Sequence, residues 1–187
     1  MRSLSRVLGL RTEGSRAGDR RLAARRLSPF GCELLEGRAL LSGIPGVSLS
    51  DTRLAITATK ASGNVAEVSI DPANHDIKVS LNGQSEEFSP SSVSGVTYHG
   101  GKNGGDTFVN DTKLLEIADG YGGHNNFTGG TSVYNVITFH GNDNTYNARA
   151  GSTNDVYEAG AADTIHKATG ANVTVVTYPS WMWPYIQ

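Results

Sequence analysis

Between residues 98 and 173 the apolar and polar positions of the chain recur with a period of nineteen residues. In rows of that length, Asp106-Thr107-Phe108, Asn125-Asn126-Phe127, Asn144-Thr145-Tyr146 and Asp163-Thr164-Ile165 fall in one column without a slip. Each triplet is an acid or amide, a polar residue and a bulky apolar one. A second apolar column, Ala118, Ile137, Val156 and Val175, stands ten residues after the first. A strand alternates sides with period two, so each row reads as two short strands sending side chains into one interior. One row alone could not bury them, but equivalent rows stacked on one another can. The pattern predicts four nineteen-residue rows over 98–177, forming a short parallel β-helix or β-roll-like solenoid. Asn103, Gly122, Gly141 and Gly160, each three residues before the acid or amide, read as positive-φ turn positions.

The segment before the rows, 43–97, reads as strands with reversals. Leu54 to Thr59 and Val65 to Ile70 alternate, and Asp71-Pro72-Ala73-Asn74 carries turn chemistry before Ile77 to Leu81. Asn82-Gly83 is the strongest hairpin signal of the chain and sets Gln84 to Phe88 antiparallel to the preceding strand. A small antiparallel sheet is therefore expected at the N-terminal end of the solenoid, covering strand groups that an open end would leave unpaired. At the other end, residues 178–187 hold both tryptophans and two prolines. They read as an aromatic cap over the last row, with an exposed aromatic strip for a sugar or protein as the alternative. The fold class expected is all-β.

Composition agrees with this and narrows the chemistry. Glycine supplies 23 of 187 residues and proline only 6, which fits frequent turns and excludes a collagen-like chain. A single cysteine, Cys32, excludes an intrachain disulfide framework and any cysteine-rich metal site. No run of apolar residues is long enough for a membrane-spanning helix, so no transmembrane segment is expected. Charge is divided unevenly. Residues 1–42 hold nine Arg and no Lys against four acidic residues, whereas the remainder holds seven basic and fourteen acidic ones. Such a front reads as a disordered targeting segment. Nucleic acid is not expected as a partner, because no aromatic residue interleaves the arginines and the body is acidic.

Two resemblances add to this reading. Leu35-Glu36-Gly37-Arg38-Ala39-Leu40-Leu41-Ser42 resembles the LEPR-XLL motif of large bacterial surface proteins, with Gly37 where that family has proline. Leu35, Glu36, Arg38, Leu40, Leu41 and Ser42 carry the match, which implies export to the extracellular space or cell surface. The Gly-rich turns, best at Gly100, Gly101, Asp106 and Phe108, resemble degenerate RTX-like repeats, the haemolysin-type calcium-binding nonapeptides. That likeness makes Asp106, Asp143 and Asp163 the candidate calcium ligands, since a hard cation needs several oxygens. The alternative is that Asn125 and Asn144 replace the metal with amide hydrogen bonds stacked along the coil, so that no cofactor is required.

Catalysis finds little footing. His75, His99, His124, His140 and His166 occupy different columns of the repeat, as do Lys102, Lys113, Arg149 and Lys167. The reading is a non-enzymatic exported or cell-surface solenoid, an adhesive or structural module for a surface polymer or protein. A calcium-dependent RTX-like folding module is the second reading. A carbohydrate-active β-helix, marked by an acidic and basic cluster on one exposed face, is the third.

Overall fold

The computed structural model describes residues 40–41, 43–132, 134–158 and 162–177. Fifteen strands succeed one another there: β1 (Leu40–Leu41), β2 (Val47–Ser50), β3 (Arg53–Thr57), β4 (Val65–Ile70), β5 (Ile77–Leu81), β6 (Gln84–Phe88), β7 (Gly95–His99), β8 (Thr107–Asn110), β9 (Leu115–Gly120), β10 (Asn126–Thr128), β11 (Asn135–Phe139), β12 (Thr145–Ala148), β13 (Thr153–Glu158), β14 (Thr164–Lys167) and β15 (Asn172–Thr177). They form an eight-stranded sheet, β1-β2-β3-β7-β9-β11-β13-β15, and a seven-stranded sheet, β14-β12-β10-β8-β4-β5-β6. The chain is all-β and coils from one sheet to the other, so that from β7 onward successive strands of each sheet are parallel. No helix among the described residues is long and apolar enough to cross a membrane.

Both apolar columns fall into register. Phe108, Phe127, Tyr146 and Ile165 face one another along the seven-stranded sheet. Ala118, Ile137, Val156 and Val175 do so along the other. Phe108, Phe127, Tyr146, Ile137 and Val156 are fully buried, each burial being worth about 2–3 kcal/mol. Tyr98 lies flat on Phe108 with ring centroids 4.6 Å apart, and Phe127 meets both rings edge-on. Burial fades at the last coil, where Ile165 is half-buried and Val175 is 41% exposed.

The parallel stack begins before the repeat column does. β3 pairs in parallel with β7, and β4 with β8, so these two strands form a further coil while their other edges carry the antiparallel strands. The antiparallel pairings are β1 with β2, β2 with β3, β4 with β5, and β5 with β6. Residues 71–94, which carry the β5–β6 hairpin, are an insertion between two coils, and this is why the nineteen-residue spacing does not reach β3 and β4. The hairpin turns at Asn82 (φ 52°) and Gly83 (φ 84°), two successive left-handed residues as its tight turn demands. Leu40 and Leu41, expected within a disordered front, pair as β1 with Leu49 and Ser48, using the otherwise open edge of β2.

One step of the stack differs from the rest. β9, β11, β13 and β15 follow at intervals of nineteen residues, whereas β7 pairs with β9 at twenty, Tyr98 opposite Ala118. The extra residue lies between His99 and Gly104, because Gly104 already bridges Gly123 at nineteen. The seven-stranded sheet keeps the nineteen-residue step from β8 to β14.

Candidate functional site

The acid-and-amide column lies at the corner where the chain passes from the eight-stranded to the seven-stranded sheet. Its side chains link each coil to the next. Asp106 Oδ1 accepts from the backbone N–H and the Nδ2 of Asn64 at 2.8 and 2.9 Å, and Oδ2 accepts from Gly101 N–H. Asn125 Oδ1 accepts from Asp106 N–H at 3.0 Å. Asn144 Oδ1 accepts from Asn125 N–H and Nδ2 at 3.0 and 2.8 Å. Asp163 Oδ1 accepts from Asn144 N–H and Nδ2 at 2.8 and 3.0 Å. Asn64, which the repeat pattern does not reach, is thus the first member of the ladder.

The residue before each of the first four ladder members is left-handed: Gly63 (φ 66°), Gly105 (φ 70°), His124 (φ 60°) and Asp143 (φ 60°). Sequence places the positive φ three residues before the ladder, and among the described residues this holds for Gly122 (φ 64°) alone. Gly141 is glycine for another reason, since a Cβ there would collide with the carbonyl oxygen of Gly122 in the coil beneath. The three candidate calcium ligands are therefore placed differently. Asp106 and Asp163 belong to separate coils of the ladder, and Asp143 is an exposed left-handed turn residue. They do not converge, and among the described residues no group of three or more His, Cys, Asp or Glu is placed to hold a metal ion. Leu35, Glu36, Arg38 and Ser42 of the surface-protein motif, and the aromatic residues 178–187, lie outside the described residues.

Three polar groupings remain on the outside. On the eight-stranded sheet, His99 Nδ1 stands 3.0 Å from Asp119 Oδ2, and this hydrogen bond pushes the imidazole pKa up. His140 stacks on Tyr121 with centroids 4.7 Å apart and planes 7° from parallel. Burial lowers the His140 pKa against the opposing pull of Asp119. Column spacing alone separates these histidines. The twenty-residue step at β7 sets His99 opposite Asp119. Further along the face, Tyr134 Oη donates to Asp155 Oδ2 at 2.8 Å, and that bond raises the phenol pKa.

The third grouping is a shallow groove over β4–β6, lined among others by Glu67, Asp71, Lys78, Ser69, Ser80 and Ser85. Asp71 accepts from Ala73 N–H at 2.7 Å, which holds its carboxyl below the usual range. Here hydroxyls, carboxylates and an ammonium share one exposed face, a set able to hydrogen-bond a polar polymer.

No protein-family model matches the chain, and no curated protein or solved structure does.

Proposed function

We propose that the protein is an exported or cell-surface β-solenoid acting as a non-enzymatic adhesive or structural module. The observation that carries the reading is the ladder. The coils bind one another through internal amide and carboxylate hydrogen bonds, and the outer face of the seven-stranded sheet repeats short polar side chains at Thr107, Asn126, Thr145 and Thr164. A self-supporting stack with a periodic polar face suits attachment or spacing better than turnover. The Arg-rich front and the Leu35–Ser42 motif support the export half of the reading. Calcium is not required in it, because both carboxylate oxygens of Asp106 accept hydrogen bonds from the chain itself.

Cell fractionation of the full chain and of a chain lacking residues 1–42 tests this. The full chain is expected at the surface or in the medium and the shortened one in the cytoplasm. Equal distribution of the two would sink the export reading. A carbohydrate-active reading is favoured by one feature, the groove with Glu67, Asp71 and Lys78. Release of reducing ends from a surface polysaccharide, abolished in Glu67→Gln, would establish it in place of the non-enzymatic reading.

A further inference from the structure

Glu116 is fully buried at the corner opposite the ladder, where the chain returns from the seven-stranded to the eight-stranded sheet. Its inward position on β9 is paired in register with Val96 of β7 on one side and Asn135 of β11 on the other. Oε2 accepts from Asn110 Nδ2 at 2.8 Å and from Gly130 N–H at 2.9 Å. Oε1 is buried with no hydrogen-bond partner. The adjoining amide is pinned, for Asn135 Nδ2 donates to Asn154 Oδ1 at 2.8 Å and to Gly130 O at 3.2 Å. Its Oδ1 is likewise buried and without a partner.

Two acceptor oxygens, on residues that neighbour each other across one pair of parallel strands, thus lack a donor. Leaving such atoms unsatisfied is costly, because each has given up its water without gaining a partner. A proton on Glu116 Oε1 supplies the single donor that satisfies both. We propose that Glu116 is carried as a neutral carboxylic acid in the folded protein, its Oε1–H donating to Asn135 Oδ1, and that this proton is a pH-sensitive lock on the corner.

The surrounding groups oppose one another. From the seven-stranded sheet come Asn110 of β8, Tyr146 of β12, and Arg149 just past β12, which favours the carboxylate. Arg149 is itself engaged by Asp111 Oδ1 at 2.9 Å. From the eight-stranded sheet come the apolar Val96 and the neutral Asn135. Burial outweighs the Asn110 and Gly130 hydrogen bonds and the pull of Arg149, pushing the carboxyl up to about 7. A raised carboxyl binds its proton more tightly folded than unfolded. The stabilisation is complete below the ordinary glutamate value and is lost as pH rises to about 7.

The test is a pH titration of the full chain carrying 13C-labelled glutamate carboxyls, read by infrared spectroscopy and by NMR at the assigned Glu116 carbon. A protonated carboxyl persisting at pH 6, with its midpoint near 7 and absent from Glu116→Gln, is expected. In denaturant melts the unfolding equilibrium constant of the natural chain should rise about tenfold per pH unit between 4.5 and 7, relative to Glu116→Gln. An ionised Glu116 at pH 6, as a bridging water would permit, overturns the proposal. So do parallel pH profiles of the two proteins. Should Glu116→Gln not fold, the NMR midpoint in the natural chain decides alone.

Discussion

The two corners of the coil solve one problem with different chemistry. Where the chain enters the seven-stranded sheet, Asn64, Asp106, Asn125, Asn144 and Asp163 repeat one hydrogen-bond pattern from coil to coil. Where it leaves, the pattern changes at every coil. Asn110 caps its own turn through Thr112 and holds Glu116, Asn135 donates to Asn154, and Tyr146 crosses from the other sheet to reach Asn154 Oδ1 at 2.6 Å. The first corner is periodic and closed. The second is irregular and contains the buried acid. A regular ladder holds coils in register, whereas an irregular one concentrates polar strain at a single residue.

The largest effect tests what lies between the corners. Phe127→Asp puts an unpaired charge among fully buried rings and should abolish the fold, while Thr128→Asp, on the outer face, should change stability by no more than about 0.5 kcal/mol. Circular dichroism with thermal melts reads both, and equal tolerance would refute the shared interior. At the periodic corner, Asn125→Ala strips Asp106 N–H of its acceptor and leaves the carbonyls of Tyr121 and Gly122 without the Nδ2 donor. A loss of about 3 kcal/mol in urea unfolding is expected. At the irregular corner the effect depends on pH: up to about 3 kcal/mol should disappear from the natural chain between pH 4.5 and 7 and from Glu116→Gln hardly any. His99 contributes in the same sense, since Asp119 raises its pKa, so Asp119→Asn should shift the His99 NMR titration downward. The smallest effect concerns calcium. Far-UV circular dichroism of the full chain, from chelator to millimolar calcium, should show no gain of β signal, and a gain would return Asp106 and Asp163 to metal ligation.

How far the sequence could be read follows the same division. Column spacing reveals the stacked interior of β8–β15, because each coil repeats its neighbour, and it reveals the amide alternative at Asn125 and Asn144. It does not reach β3 and β4, since the inserted hairpin sets Leu54 and its partner Val96 42 positions apart (96 − 54). Asn64 is hidden for that reason. Glu116 stands two residues before Ala118 and nineteen before Asn135, so its column is legible, but the orphaned Oε1 beside Asn135 is not. The carboxylate of Asp143 suggests a metal ligand in the sequence, yet its backbone is what the turn uses.

The constant step also makes heredity simple. From β9 onward every coil meets its neighbours nineteen residues away, so a stretch of gene encoding one coil is an interchangeable cassette. Duplicated or deleted whole, it keeps the strands in register, while the irregular corner, whose side chains change at every coil, meets new neighbours and must be refitted. Loss of half a cassette would instead carry strands of one sheet into the place of the other. The spare residue after β7 lies outside that set, and copying it would pass its one-residue offset on to each new coil.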